Sequence, residues 1–452
     1  MTETEMHAWR RALAAAMLGF FMISLDATAV NVALTSIGRS LHGTTAGLQW
    51  VVDGYTLPFA ALLVSAGAVA DRFGARRLFC LGLAGFTVAS PACGLAPTLW
   101  LLVASRVAAG GAAAAMLPAS LALVRQARPE PSARARAIAV WTAGGAAAIA
   151  AGPVLGGILT AAAGWQAIFF LNVPAALTAA VLLARVPASA RRAAPLDPAG
   201  QVTAAAGLAA LAFGVIYGGA AGYAAAPVLA ALAVALLALA VFVIVESRTA
   251  QPMVPLPLLR SPAVAACLLT GFSVNAGFYG IAFVLSLYFQ RALGYSAIGA
   301  GLLFLPMTGL LTVASLMSAR VAARRGHLLP IRLGLSAGTI GMLALAFSPS
   351  LPALEIALVP AGAGLGFALP SLTFQLLDSL PAGQAGLAGG LFNAVRQTGG
   401  ALAVAVFGVL VSGPAGSFAA GMRASMLIGA VLLAGSTAAL LSTSRRRVPA
   451  LS

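Results

Sequence analysis

The 452-residue sequence contains no lysine, and all 26 of its basic residues are arginines. Charged residues of both signs make up 8% of the chain, whereas 61% of the residues are hydrophobic. A soluble domain carries roughly 25% charged residues, because water must solvate its surface. The scarcity of charge therefore excludes soluble proteins, soluble enzymes included, and predicts that lipid surrounds most of the chain.

Histidine and cysteine are also scarce, with three residues of each. The histidines, His7, His42 and His327, lie outside the apolar runs, and the cysteine spacings match neither a zinc site nor a redox motif. No Gly-Lys-Ser/Thr phosphate-binding sequence is present, which excludes ATP as an energy source. The sequence thus predicts no catalytic centre, no metal and no cofactor.

The apolar runs are long enough to cross a bilayer many times. A helix needs about 20 apolar residues to span the hydrocarbon core, and fourteen such runs occur. They are 12–37, 48–70, 77–96, 99–124, 136–162, 166–185, 201–221, 227–246, 263–289, 297–319, 330–348, 352–377, 384–411 and 421–442. We therefore expect an all-α polytopic membrane protein with fourteen transmembrane helices and both termini on one side.

The arginines divide unequally between the two sides of this arrangement. Twenty-one arginines fall on the side of the termini, and three fall on the opposite side, namely Arg39, Arg291 and Arg423. Arg106 and Arg396 lie within spans. Cytoplasmic loops carry the excess of basic residues, so both termini are expected in the cytoplasm. Because the arginines do not gather on one soluble face, no nucleic-acid partner is expected.

A polar stretch over 186–200 divides the chain after the sixth span. We expect a six-helix bundle over 1–190, a linker with two inserted helices over 191–260, and a second six-helix bundle over 261–452. The inserted pair consists mostly of Ala, Leu, Val and Gly. Six, two and six helices is the pattern of an internally duplicated carrier with an insertion.

The gap between the second and third spans combines glycines with charged residues. It contains Gly67, Asp71, Arg72, Gly74, Arg76 and Arg77. An acid and arginines at this spacing can form charge-assisted hydrogen bonds across a helix end. Glycine permits close backbone approach and a tight turn. The alternative is an ordinary solvated loop on the basic side of the membrane.

The fourth and fifth spans carry two further patterns. Arg106 lies inside the fourth span, where an arginine usually faces a cavity or a partner. The fifth span contains Gly144, Gly145, Gly152, Pro153, Gly156 and Gly157. Small residues let helices approach closely in lipid, and proline bends a helix by removing one backbone hydrogen bond.

Ordered motifs also occur over 25–34, 49–57, 165–174 and 389–400, and a less dense one over 287–301. The first reads Leu-Asp-Ala-Thr-Ala-Val-Asn-Val-Ala-Leu. Together with the loop and the glycine-rich span, these motifs resemble the major facilitator superfamily, specifically its fourteen-helix branch of drug:proton antiporters. The resemblance covers nearly the whole chain except the inserted pair. It implies a major facilitator fold of two six-helix bundles plus two inserted helices.

The resemblance also implies roles for the motif residues. The loop from Gly67 to Arg77 would latch the two halves at the cytoplasmic face, and Arg106 would take part in proton coupling. Gly145, Gly152, Pro153, Gly156 and Gly157 correspond to the antiporter motif. Two sites depart from the family pattern, because Ala109 replaces a glutamine and the second loop copy, 320–326, lacks its acid.

Asp26 is the most central of the few ionisable residues at membrane depth. Burial favours the neutral form of a carboxylic acid, whereas a neighbouring arginine favours the ionised form. An acid on which these two opposing effects act can exchange a proton. We therefore expect Asp26 to be the principal proton-coupling residue, with Arg106 adjusting its tendency to ionise. A static ion pair is the alternative. For Asp53 we expect a second proton carrier, a gate or a substrate contact.

The predicted transport path is largely apolar, which suits lipophilic compounds, and Asp26 or Asp53 could receive a cation. Residues expected either to line this path or only to pack are Asn31, Tyr55, Trp141, Asn275, Tyr279, Phe283, Gln290, Asn393 and Arg396.

The expected function is proton-coupled efflux of lipophilic drugs or antibiotics, cationic ones among them, across the cytoplasmic membrane by alternating access. The partners would be a small-molecule substrate, protons and membrane lipid, and we expect a bacterial protein acting as a monomer. Two alternatives remain: a transporter of the same fold for an amino acid, lipid or metabolite, and a sensor that binds a ligand without moving it.

Overall fold

The computed structural model describes residues 3–126, 130–189, 191, 196–348, 350–379, 385–413 and 417–445. Within these ranges the chain forms helices, numbered here α1 to α17, and a short π-helix over Tyr288–Ala292. Proline at the first or second position begins several of them, where its missing N–H has no helical partner to lose. The described residues therefore form an all-helical protein.

Residue contacts divide the chain into two compact units. Unit 1 comprises the described residues of Met1–Gln201 together with Phe289–Leu302. Its helices are α1 (Glu3–Ser40), α2 (Thr45–Phe73), α3 (Ala75–Gly94), α4 (Leu99–Gln126), α5 (Pro131–Ala163), α6 (Gln166–Phe170), α7 (Asn172–Ala184) and nearly all of α12 (Ala297–Leu303). Helix α1 packs against α4, α5 and α7, and α4 also packs against α2 and α3. A side chain in the middle of α1 is thus enclosed from several directions.

Unit 2 comprises the described residues of Val202–Tyr288 and Leu303–Ser452. Its helices are α8 (Pro198–Ala221, from Val202 onward), α9 (Ala226–Arg248), α10 (Leu256–Leu259), α11 (Pro262–Leu287), α13 (Leu305–Arg325), α14 (Leu328–Phe347), α15 (Leu351–Asp378), α16 (Ala385–Leu410) and α17 (Phe418–Arg445). Helix α11 packs against α15, α16 and α17. The three-part division expected at residues 190 and 260 stays a prediction.

Thirteen helical stretches in the described part of the chain are long and apolar enough to cross a membrane. They coincide with thirteen of the fourteen predicted spans. The other predicted span, 384–411, corresponds to α16, in which Asn393, Arg396 and Gln397 lower the mean hydropathy. The prediction of an all-α polytopic membrane protein is confirmed.

Helix α9, in the predicted insertion, exposes most of its apolar surface. Over an apolar segment of 18 residues in this helix 11% of the residues are buried, against 89% over a segment of the same length within Pro262–Ala292. Leu236 and Leu237 are among its exposed leucines. Because a helix that is apolar all round cannot present such a surface to water, lipid must cover α9.

Helices α14 and α15 approach each other through glycines. A Cβ atom placed on Gly364 of α15 would overlap the backbone of Gly338, and one placed on Gly341 of α14 would overlap Ala361. In lipid, close contact of this kind replaces the hydrophobic driving force that holds soluble helices together.

We expect Gly364→Ala to lower the free energy of unfolding by about 1–3 kcal/mol, because the added methyl group overfills this contact. The loss would be measured as a lower melting temperature of the purified protein in detergent. Gly435→Ala is the matched control, since Gly435 lies within α17 with nothing within 4 Å of an added Cβ. Equal melting temperatures for both variants would contradict this account of the α14–α15 contact.

Candidate functional site

A buried ion pair lies at the centre of unit 1. The side chains of Asp26 on α1 and Arg106 on α4 are each 1% exposed, and Nη1 of Arg106 donates to Oδ2 of Asp26. The Nε group of Arg106 donates to the backbone oxygen of Val51 at 3.0 Å. Its Cζ atom lies 4.2 Å from the centre of the Tyr55 ring. An acid, a carbonyl and an aromatic face together compensate the arginine charge.

Asp26 has a second donor, Asn172, which the sequence did not single out as a site residue. The Nδ2 group of Asn172 lies 3.3 Å from Oδ1 of Asp26 and 3.0 Å from Oγ of Ser90. The Ser90 hydroxyl in turn donates to the backbone oxygen of Phe169 at 2.8 Å. Both carboxylate oxygens of Asp26 are therefore held, one by α4 and the other by the first residue of α7.

Small residues bring these groups together. A Cβ atom on Gly110 of α4 would overlap the backbone of Tyr55, so the glycine lets α4 lie against α2 with Arg106 over the Tyr55 ring. Gly152 and Gly156 of α5 contact Thr28 and Ala29 of α1 in the same way. Two residues of the proposed antiporter motif thus hold α5 against α1 immediately beside Asp26.

The same motif makes further close contacts within unit 1. A Cβ atom on Gly157 would overlap the backbone oxygen of Ala297, and one on Gly301 would overlap that of Pro153. Gly145 faces the ring of Phe20 on α1. Helix α5 therefore contacts α1 and α12 through residues without bulky side chains.

Asp53 of α2 is fully buried, at 0% exposure. Neither carboxylate oxygen has a hydrogen-bond partner among the described residues. An ionised carboxylate in such surroundings is costly. Asp26 and Asp53 therefore differ in kind, because only Asp26 has donors that compensate a negative charge.

The loop between α2 and α3 differs in detail from the expectation. Gly74 makes the tight turn with a φ of 95°, but an added Cβ on Gly67 would meet nothing within 4 Å, so no close approach occurs there. Asp71 is exposed and forms no ion pair among the described residues.

Arg76 makes the inter-helical bonds of this loop instead. Its Nε and Nη2 groups donate to the backbone oxygens of Leu183 and Ala184 at 3.2 and 3.4 Å. Free carbonyls at a helix C-terminus attract a cation, and the last turn of α7 supplies them here. Arg72 and Arg77 are exposed.

A second polar cluster lies in unit 2, around Arg396 of α16. The Nε and Nη2 groups of Arg396 donate to Oδ1 of Asn275 on α11 at 3.2 and 3.1 Å, and Nη1 donates to Oδ1 of Asn393 at 3.1 Å. Nδ2 of Asn275 donates to Oε1 of Gln397 at 2.9 Å, and a hydrogen bond joins Gln397 to Tyr279. Four predicted path residues thus converge here, and Gln397 joins them.

The other predicted path residues do not form one group. Nδ2 of Asn31 bonds within its own helix, to the oxygen of Ala27 at 3.1 Å. Trp141 stacks on Phe20 with ring centres 4.3 Å apart and donates to Ser120. Tyr55 belongs to the ion-pair cluster, Phe283 is fully buried, and Nε2 of Gln290 donates to the oxygen of Val32 at 2.8 Å.

Gln290 also borders a cavity of about 690 Å³ within unit 1. The cavity is lined by Thr35, Gly38, Arg39, Gly43, Gln290, Arg291, Gly294, Tyr295 and Ser296. Nη1 of Arg291 is held by Oγ1 of Thr45 at 3.2 Å. Two of the three arginines expected on the extracytoplasmic side therefore meet at one cavity.

We expect Asp26→Leu to lower the free energy of unfolding by about 3–5 kcal/mol, because it leaves Arg106 buried without an acid. The double variant Asp26→Leu, Arg106→Leu should recover much of that loss, as judged by melting temperature in detergent. Asp378→Leu is the control, since its 3.8 Å contact with His327 is exposed. The pairing would be contradicted if the double variant lost as much stability as the sum of the losses in Asp26→Leu alone and Arg106→Leu alone.

Asn172→Ala should reduce transport several-fold, because one oxygen of Asp26 and the hydroxyl of Ser90 lose a donor. Thr178→Ala on the same helix is the matched control, since Thr178 is exposed and bonds only to its own helix. Initial export rates at equal protein levels would be compared. Equal rates for wild type and Asn172→Ala would show that Asn172 has no part in the site.

Comparison with known proteins shows the family to which the chain belongs. The model of the Major Facilitator Superfamily matches residues 16–404. The Methylenomycin A resistance protein of Streptomyces coelicolor is 39% identical over 397 residues, which are 87% of this chain and 84% of that protein. The Tetracenomycin C resistance and export protein of Streptomyces glaucescens is 36% identical over 414 residues, covering 90% and 77%.

A solved structure supports the fold. It is that of a bacterial homolog to the human lysosomal transporter Spinster, in an inward-facing and unoccupied conformation, with 18% sequence identity. The match covers 97% of each chain with a TM-score of 0.66. The predicted major facilitator fold is confirmed, and the chain belongs to the Major Facilitator Superfamily, a family of membrane transporters for small-molecule substrates.

Proposed function

We propose that the protein exports lipophilic drugs or antibiotics across the membrane in exchange for protons, with Asp26 coupling the two movements. Its relatives, which are named as resistance and export proteins, support the cargo class and the direction. The compensated burial of Asp26 beside Arg106 is the observation that carries the coupling proposal.

A proton at Asp26 would change the forces between three helices. The ionised carboxylate accepts from Arg106 of α4 and Asn172 of α7. Protonation removes the negative charge and leaves the arginine with the Val51 carbonyl and the rings of Tyr55 and Phe169, none of which carries a full negative charge. The two protonation states therefore favour different arrangements of these helices, and such a difference is what coupling requires.

Alternating access would use this difference in a fixed order. With the site open to the cytoplasm, the substrate binds as a proton leaves Asp26. Once the site faces outward, a proton binds Asp26 again and the substrate is released. Asp53 would serve as a second proton carrier or gate, since its buried carboxyl has no donor among the described residues to stabilise an ionised form.

The proposal also gives roles to the loop between α2 and α3, to the glycines of α5 and to the asymmetry of the arginines. The loop with Gly67, Asp71, Arg72, Gly74, Arg76 and Arg77 would latch the cytoplasmic face, and the glycines of α5 would keep its contacts close during transport. The arginine asymmetry supports cytoplasmic termini in a bacterial cytoplasmic membrane. We propose that the working unit is a monomer surrounded by lipid.

Transport in proteoliposomes tests the coupling directly. Wild-type protein should accumulate a fluorescent neutral dye against its concentration gradient only when a pH gradient is imposed. Asp26→Asn should lose gradient-driven accumulation while keeping exchange of the dye across the bilayer without a gradient. Asp26→Glu, which restores a carboxylate, should recover part of the driven transport.

Glu355→Gln is the matched control, because Glu355 is a partly exposed acid in α15, outside both polar clusters. It should transport like wild type. Gradient-driven transport by Asp26→Asn at the wild-type rate would refute the role of Asp26. Binding of ligand without flux by the wild type would instead favour a sensor.

A further inference from the structure

Arg396 carries a charge within a predicted span, and no acid among the described residues forms an ion pair with it. Among the described residues, the two ion pairs are Arg106 with Asp26 and His327 with Asp378. The partners of Arg396 are amide oxygens, namely those of Asn275 and Asn393. An arginine at membrane depth is costly and usually has a counter-charge or a function.

The hydrogen bonds leave part of the guanidinium available. A guanidinium has five N–H donors in a planar fork. Three of them donate to Asn275 and Asn393, and within the described part of the chain one N–H on each terminal nitrogen of Arg396 has no hydrogen-bond partner. Two parallel N–H groups are the arrangement that binds a carboxylate in bidentate fashion.

The cluster is also accessible. Arg396, Asn393 and Gln397 are each partly exposed, and Phe392, whose ring centre lies 5.7 Å from Cζ of Arg396, adds an apolar wall. Asp26 and Asp53, the acids that could receive a cation, are at most 1% exposed. Arg396 is therefore more exposed than either of these acids.

The lining of the cavity in unit 1 is positively charged, as Arg396 is. Arg39 and Arg291 contribute guanidinium groups to its lining, and none of the described residues that line it is acidic. Arg39 is exposed there. A cavity on the expected exit side with two positive charges would repel a cationic cargo and attract an anionic one.

We propose that Arg396, held by Asn275 and Asn393, recognises a carboxylate on the cargo, so that amphipathic organic acids are the preferred substrates. This inference rests on the proposed export function and narrows its substrate class. It also replaces the cationic cargo that the sequence suggested. The amide oxygens of Asn275 and Asn393 orient the guanidinium group of Arg396 without neutralising its charge. The guanidinium then pairs with the carboxylate of the cargo.

A set of three matched probes tests the charge preference: 1-pyrenebutyrate, its methyl ester and 1-pyrenebutylamine. Binding to the purified protein in lipid nanodiscs at neutral pH is measured by energy transfer from the protein's tryptophans to pyrene. The wild type should bind the carboxylate about ten- to a hundredfold more tightly than the ester, as expected for paired charge-assisted hydrogen bonds. The amine should bind no better than the ester.

Two variants identify the residue responsible. Arg396→Gln removes the charge, and Asn275→Asp supplies an internal carboxylate to the same guanidinium. Each should bring the ratio of carboxylate to ester affinity close to one. Asn275→Asp retains the arginine and so keeps the test valid if Arg396→Gln misfolds. Arg423→Gln is the matched control, because it removes one positive charge outside the Arg396 cluster, from an exposed residue that donates to the Ala346 carbonyl, and it should keep the ratio.

The outcomes separate this inference from the proposed function. The inference is overturned if the wild type binds the carboxylate and the ester with equal affinity. It is also overturned if Arg396→Gln and Asn275→Asp both keep the wild-type ratio of carboxylate to ester affinity. An equal loss for all three probes in Arg396→Gln marks a structural role and also overturns it. Proton-driven export of a neutral dye that persists in either case leaves the export function standing.

Discussion

A charge inside a bilayer must be compensated by the protein itself, because lipid offers no solvation. Most arginines of this chain avoid the problem by lying near helix ends. Arg106 and Arg396 do not, and the two polar clusters form around them. Arg106 has an acid, a carbonyl and an aromatic ring as partners, and Asp26 supplies the opposite charge. Among the described residues, the hydrogen-bond partners of Arg396 are amide oxygens, which carry no negative charge. This contrast supports the proposals that the first site couples protons and that the second recognises the cargo.

Close helix packing determines whether such charges can be compensated at all. Arg106 reaches the Val51 carbonyl and the Tyr55 ring because Gly110 lets α4 approach the backbone of α2. In unit 2, Gly399 contacts the backbone of Phe272 and brings α16 against α11, which places Arg396 beside Asn275. The many glycines of these spans therefore bring the polar groups within bonding distance, and a larger residue at either position would separate them.

Sequence patterns predicted the helices, because long apolar runs have one stable form in lipid. They also predicted that Asp26 and Arg106 belong together, since a buried acid and a buried arginine each need a partner. Asn172 escaped notice as a partner because neither its spacing nor its polarity distinguishes it from other asparagines. Ser90 gave no signal, since serine is common in membrane helices. The partners of Arg76 were also missed, because the backbone carbonyls at the end of α7 to which it donates cannot be recognised from the sequence.

Proton release on substrate binding tests the central claim most directly. The purified protein would be held in weakly buffered detergent solution with a pH indicator dye, and a compound that it exports would be added. The account predicts that wild-type protein releases protons on binding and that Asp26→Asn, although it still binds the compound, releases fewer or none. Binding by the wild type without any change of pH, or full proton release by Asp26→Asn, would contradict the account.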